Sequence, residues 1–309
     1  MNRIHNTIAR EVAEALRQDR AVVALESTLI SHGLPWPENL ETARESEAAV
    51  RRHGAVPATI AVMHGGVRIG LSDEELESLA RSTAFMKASR RDLGAAVALQ
   101  QDAATTVSAT MHVARNAGIH VMATGGLGGV HRGASESFDI SLDLDELARA
   151  DGMLLVCSGV KSILDIPATL EALETRGVLV VGYRCDQFPA FTSRSSGIPI
   201  EWRADSPGQV AAIVQEHRAM KIPGAIVLAN PVAENVAIAD DEANAAIHKA
   251  IEDAKRLGIA GKAITPFLLN AVREETSGRS LAANRALIVA NAGLAGEVAA
   301  LLITSVRRA

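Results

Sequence analysis

GMLLVCSGVKSILDIPATLEALETRGVLVVGY, residues 152–183, opens and closes on continuous apolar runs of strand length, with a helical pattern at 168–176 between them. A strand apolar on successive residues, not alternate ones, is covered on both faces. Two such strands joined through a helix read as a crossover unit, which lays them parallel. The same alternation extends in both directions. AVVALE (21–26), ATIAVM (58–63), IHVMAT (119–124) and GAIVLAN (224–230) read as buried strands, with helical stretches at 38–53, 105–116, 207–220 and 241–257. The expected fold is therefore α/β: a three-layer α/β/α domain with a mostly parallel or mixed central sheet. VRIG (67–70), beside HGG, predicts a small β excursion. With no Ser/Gly linker, charge block or internal repeat, residues 1–309 are expected to form a single domain.

Composition narrows the function. The formal net charge of −5 provides no electrostatic footprint for nucleic acid, so an anionic substrate has to be held by local cations or backbone N–H groups. The two cysteines, Cys157 and Cys185, form no CxxC and no cluster with histidine, and a cytoplasmic protein with free thiols is expected. MNRIHNTIAREVAEALRQDR (1–20) is too charged for a secretory signal and predicts an amphipathic surface helix. The apolar run at 286–306 is the only membrane-like segment. Asn291 and Glu297 interrupt it and its glycines break it, so buried helices are expected and no membrane.

In a sheet of this type ligands sit at the carboxyl ends of the strands, which directs attention to the polar residues there. Glu26 ends the first strand and suits either loop hydrogen bonds or acid–base work. MKASRRDL (86–93) gathers Lys87, Arg90 and Arg91, either a solvated face or a phosphate cradle. TTVSAT (105–110) offers hydroxyls for a helix N-cap, whose N–H groups also suit a phosphate. GGLGGVHRG (125–133) lacks GxGxxG spacing, which argues against a nicotinamide site and leaves a flexible or closely approached loop carrying His131 and Arg132. SFDISLDLDEL (137–147) brings Asp139, Asp143 and Asp145, either a half-exposed strand entering a helix cap or ligands of a hard cation; without a His pair or Cys nearby, manganese or magnesium suits them better than zinc.

Lys161 stands between the strand at 152–157 and the following helix. A cation at a helix start opposes the helix dipole. A lysine at a strand end, partly desolvated and close to positive potential, has its neutral form favoured, as an amine nucleophile requires, although many strand-end lysines are simply salt-bridged.

Taken together, ALESTLISHGLPWPEN (24–39), KASRRDL (87–93), TTVSATM (105–111), ATGGLGGVHRG (123–133), SFDISLDL (137–144), CSGVKSILDI (157–166) and SLAANRALI (280–288) resemble the pseudouridine-5′-phosphate glycosidase family, also called indigoidine synthase A-like proteins. The motifs run in order from about residue 21 to the C-terminus. The resemblance implies reversible cleavage of pseudouridine 5′-phosphate with water into uracil and ribose 5-phosphate. It implies Lys161 as nucleophile and Glu26 as proton donor. It implies substrate contacts from Lys87, Thr106, the Val107 backbone, Ser141, Leu142, Asp143, His131 and Asn284. It further implies Asp139 as the one protein ligand of a mostly water-coordinated Mn2+, and a homotrimer. None of these positions departs from the family's pattern, and the bulky Leu127 and the polar QQDAATT (100–106) are where altered packing is expected. Two other classes use similar residues: a Schiff-base aldolase or lyase on another sugar phosphate, and a non-enzymatic sugar-phosphate sensor, the latter having no need of an amine nucleophile.

Overall fold

The computed structural model of the protein describes residues 7–259 and 264–306. In chain order its strands are β1 (Thr7–Ile8), β2 (Val22–Glu26), β3 (Val56–Met63), β4 (Gly66–Ile69), β5 (Met86–Ala88), β6 (Ala103–Thr105), β7 (Val121–Ala123), β8 (Val130–His131), β9 (Leu154–Cys157), β10 (Leu164–Asp165), β11 (Leu179–Tyr183), β12 (Trp202–Ala204) and β13 (Ile226–Ala229). The main sheet runs β1-β4-β3-β2-β7-β9-β13-β11-β12. Every pair from β3 to β12 is parallel.

Both faces of these strands are buried, as their continuous apolar runs predict. Val22, Ala24, Leu155, Cys157 and Val227 enter one core with the helices Val107–Asn116, Leu142–Leu147 and Ile166–Thr175. Val23, Leu25, Leu154, Val156 and Ile226 enter the other with Glu38–Arg52, Pro207–Ala219 and Arg279–Val306. The layers are thus α/β/α. The excursion at 67–70 is the second arm of the antiparallel β3–β4 hairpin. Its two turn residues, His64 at φ 53° and Gly65 at φ 70°, carry the paired positive φ that matches the twist of a tight hairpin.

Two expectations are corrected. The run at 286–306 belongs to one continuous helix, Arg279–Val306, which its glycines do not break. At Gly296 a Cβ would lie 3.0 Å from the carbonyl oxygen of Val50, so this glycine permits close crossing with the Glu38–Arg52 helix. By length and composition the helix could cross a membrane, but most of it is buried inside the fold. At the other end, the amphipathic helix is the shorter Arg10–Arg17, and residues 1–6 of the predicted segment lie outside the described residues.

The topology also creates a crevice. From β2 the chain passes to β3 on one side, and β7 and β9 then build the other side, so the strand order reverses at β2. β3 extends past the end of β2. There β4 holds one edge of Ala61 and Val62, while β6 pairs antiparallel to the same residues on the edge β2 has vacated. β5 lies parallel to β6, with Lys87 opposite Ala104. This short ladder stands over the carboxyl end of β2.

Candidate active site

Glu26 ends β2 beneath that ladder and is only 4% exposed. The Thr124 hydroxyl, just after β7, donates a hydrogen bond to its carboxyl. Burial pushes the carboxyl above the usual carboxylate range, with the charges of Lys161 and Lys87 opposing the shift. The net upward direction favours a neutral acid.

Lys161 follows β9 by a short loop that is laced to the glycine loop. The Leu127 N–H donates to the Gly159 carbonyl at 3.0 Å, and the Lys161 N–H donates to the Leu127 carbonyl at 3.2 Å. Leu127 is fully buried, so its bulk is taken up in the hydrophobic core while its backbone holds the Lys161 loop. Gly159 is required: its φ is +77°, and a Cβ would lie 2.9 Å from the Phe188 ring. The helix that follows begins only at Ile166, capped by Asp165, whose carboxylate accepts from the Ala168 N–H at 3.0 Å. Lys161 is therefore not at a helix start, and the dipole argument does not apply. Instead a second ammonium, Lys87, lines the same cleft. The Lys161 amine takes no hydrogen bond or ion pair among the described residues.

The cleft has a volume of about 440 Å³, and Lys87, Arg91 and the hydroxyls of Ser89, Thr106 and Ser108 line it, with one carboxylate, Asp92, beside Ser89 and Arg91. Arg90 turns away; its Nε lies 2.7 Å from Glu146, a carboxylate buried completely behind the cleft. The helix predicted from residue 105 starts at Val107 with Thr106 as the cap residue, but the Thr106 hydroxyl bonds the Ser108 hydroxyl rather than capping. Val107 is fully buried and, unlike Thr106 and Ser108 on either side, does not line the cleft.

The cap comes from far along the chain. Asp143 accepts from the Ser108 N–H and the Gly128 N–H, each at 2.9 Å, through different oxygens. It is 4% exposed and sits in the helix Leu142–Leu147, capped by Ser141, so 141–144 is no half-exposed strand. The glycine loop is likewise buried rather than flexible, and a Cβ on Gly128 would strike Ser141 and Asp143. Ser141, Leu142 and Asp143 all line the cleft. Asp145 does not; it pairs with Arg176 at 2.8 Å, and Arg132 is exposed outside the lining.

Asp139 lies at the cleft mouth, its carboxylate 3.9 Å from Nδ1 of His131. The β8–β10 pair sets His131 opposite Leu164, near Lys161. Burial lowers the His131 pKa, Asp139 opposes this, and Lys87 and Lys161 add to it. Among the described residues no group of three His, Cys, Asp or Glu could enclose a metal. Both oxygens of Asp143 are already engaged, so the donor set fits a hard cation only through Asp139, with water completing the shell.

Past Glu26 and Lys161 the cleft narrows into an apolar recess lined by Gly125, Gly126, Phe191, Leu269, Ile288 and Asn284. The Asn284 Oδ1 is buried and has no hydrogen-bond partner among the described residues. His32 also lines it, a residue not singled out from the sequence although it stands inside the motif ALESTLISHG. Phe191 carries no sequence signal. Asn291, predicted to matter only as a break in a membrane-like run, is fully buried and pins the strand ends: its amide donates to the Thr124 carbonyl at 2.8 Å and to the Ser158 hydroxyl at 3.1 Å, while Asn230 donates to its Oδ1 at 2.9 Å.

A sequence profile of the family described as "Indigoidine synthase A like protein" matches residues 11–301. The chain is 50% identical over 299 residues to the pseudouridine-5′-phosphate glycosidase of Caldanaerobacter subterraneus subsp. tengcongensis, covering 97% of both chains. It is 53% identical over 294 residues to the protein of that name from Methylobacterium nodulans, covering 95% of this chain and 87% of that one. Among solved structures it resembles the prealnumycin C-glycosynthase AlnA in complex with ribulose 5-phosphate, with a TM-score of 0.91, 38% identity and full coverage of both chains. It also resembles an indigoidine synthase A (IdgA)-like protein from Thermotoga maritima, with a TM-score of 0.88 and 37% identity over 98% of this chain and 99% of that one.

Proposed function

The chain belongs to the indigoidine synthase A-like family, and from that premise we propose that it is an enzyme that reversibly cleaves the C–C glycosidic bond of pseudouridine 5′-phosphate with water, yielding uracil and ribose 5-phosphate. The observation that carries this reading is the identity of about half its residues, over nearly the whole chain, with proteins named for that activity. The cleft supports it with cations and hydroxyls suited to phosphate, an amine beside a buried acid, and an apolar recess suited to a flat base.

Because carbon is a poor leaving group, two carboxylates acting on an intact sugar ring suit this bond badly. We assign Lys161 as nucleophile. The neutral Lys161 amine adds to C1′ as the C1′–O4′ bond of the ribose ring breaks, the bonding pair leaving on O4′, which takes up the proton lost from the amine nitrogen. The nitrogen lone pair then forms the C1′=N⁺ iminium while the C1′–C5 bonding pair moves onto the uracil ring, and C5 takes a proton from Glu26. Water hydrolyses the iminium to ribose 5-phosphate and free amine. The raised pKa of Glu26 suits the proton donor.

Lys87, Thr106 and Arg91 are assigned to phosphate, Ser141, Leu142, Asp143 and His131 to the ribose, and Asn284 to the base. Asp139 is assigned to hold Mn2+, whose chemistry would be to orient water or substrate oxygens. We also propose a homotrimer, in keeping with the apolar surface groove of Ala282, Ala286, Val289 and Ala290, and a cytoplasmic location, in keeping with two free thiols. Chromatography of products from pseudouridine 5′-phosphate tests the activity. Equimolar uracil and ribose 5-phosphate are expected; an intact substrate, or a sugar fragment other than ribose 5-phosphate, overturns the assignment.

A further inference from the structure

The cleft continues past Asn284. Beyond it a second chamber of about 230 Å³ is lined by Leu34, Asn270, Arg273, Ser280 and Leu281. The recess joins the two spaces: it shares Glu26, Lys87 and Lys161 with the sugar side and His32, Gly33, Phe191, Leu269 and Asn284 with the far chamber. Asn270 is exposed, so the chamber reaches the surface away from the Lys87 and Asp139 mouth.

The order of bond changes makes this second opening useful. When the C1′–C5 bond breaks, the sugar stays covalently on Lys161 with its phosphate at the Lys87 end. The ribose then fills the way to that mouth, while uracil is already free. In synthesis, uracil has to reach an iminium that occupies the same place. We propose that the far chamber is a separate holding site and door for the nucleobase, so that uracil leaves before water releases ribose 5-phosphate and, in reverse, enters after the sugar is bound. The lining suits a flat neutral heterocycle with alternating donors and acceptors: an amide at Asn270, a hydroxyl at Ser280 and a guanidinium at Arg273, flanked by Leu34 and Leu281. The inference rests on the lysine-adduct reading above.

Gly33 gives access to the neck. Its φ lies outside the left-handed region, and an added Cβ would meet nothing nearer than Leu29 Cβ at 3.6 Å and the Thr28 carbonyl at 3.9 Å. Gly33→Leu therefore narrows the neck without backbone strain. Asn270→Trp obstructs the outer opening; Asn270 bonds only the exposed Glu274, at 2.9 Å, among the described residues.

The experiment measures synthesis kinetics and, separately, borohydride trapping of ribose 5-phosphate on Lys161 with no uracil present. Both variants are expected to raise KM for uracil about tenfold or more while trapping ribose 5-phosphate at the rate of the unsubstituted enzyme. An unchanged uracil KM in Asn270→Trp, which touches the far chamber alone, overturns the proposal whatever Gly33→Leu does, as does trapping that falls in step with uracil use. Failure of the unsubstituted enzyme to trap any adduct counts instead against the lysine reading itself, which is measured first.

Discussion

The Thr124 hydroxyl donates a hydrogen bond to the Glu26 carboxyl across the neighbouring parallel strands β2 and β7, at the point where the strand order reverses. Thr124 is itself held, because its carbonyl accepts from the buried Asn291 amide at 2.8 Å. The acid is thus oriented from the C-terminal helix while burial keeps it toward its neutral form.

Glu26→Gln keeps the shape and a hydrogen-bonding group but has no acidic proton. Steady-state cleavage is expected to fall about a hundred- to ten-thousandfold, the usual contribution of general acid catalysis. Intact mass after mixing with substrate should still show an adduct; near-normal turnover would mean that the acid lies elsewhere.

The raised pKa of Glu26 also has a sign. Cleavage needs the protonated carboxyl, so kcat/KM in that direction is expected to decline as pH rises through the raised value. Stability follows the same sense, because a carboxyl whose folded pKa is raised loses its contribution as pH rises through it. The pH profile of Glu26→Gln, measured on its residual activity, should lack that alkaline decline.

Lys161 is tested by chemistry at its own nitrogen. Borohydride with ribose 5-phosphate is expected to label Lys161 irreversibly, and Lys161→Ala should lose both label and turnover. Peptide mapping that finds the label on another lysine would move the nucleophile.

Phosphate recognition is expected to depend on Lys87. Loss of one charge-assisted hydrogen bond, worth roughly 1.5–3 kcal/mol, predicts that Lys87→Ala raises KM for the phosphorylated substrate about ten- to a hundredfold. Unphosphorylated pseudouridine should be a poor substrate for the unsubstituted enzyme; comparable turnover of the two would remove phosphate from recognition.

Chelation is expected to abolish activity and manganese to restore it, with Asp139→Ala failing to recover. Full activity after exhaustive chelation would take the metal out of the reaction.

Asp143→Ala should cost stability as well as activity. It would leave the Ser108 and Gly128 N–H groups buried without an acceptor, at about 1–3 kcal/mol each. Denaturant unfolding would read the loss, and a midpoint equal to that of the parent protein would show that water replaces the carboxylate.

Much of the architecture was legible in one dimension, because apolar periodicity is local. AVVAL (21–25), MLLVC (153–157) and AIVLA (225–229) are apolar on every residue, and a strand sandwiched between two helical layers buries them so. The ordered motifs likewise marked Glu26, Lys87, His131, Asp139 and Lys161, which the fold brings to one cleft. What tertiary structure alone decided depends on partners distant in the chain. Asp143 looked like a metal ligand or an ordinary cap, yet its oxygens are committed to amides 35 and 15 residues away. Asn291 looked like an interruption, yet it fastens a carbonyl 167 residues away. Lys161 takes its setting from the Leu127 loop and the nearby Lys87 rather than from a helix dipole. Periodicity records which face of an element avoids water. It carries no information on which distant donor will meet a buried acceptor, or on where separate elements leave space between them, because both depend on how the layers pack.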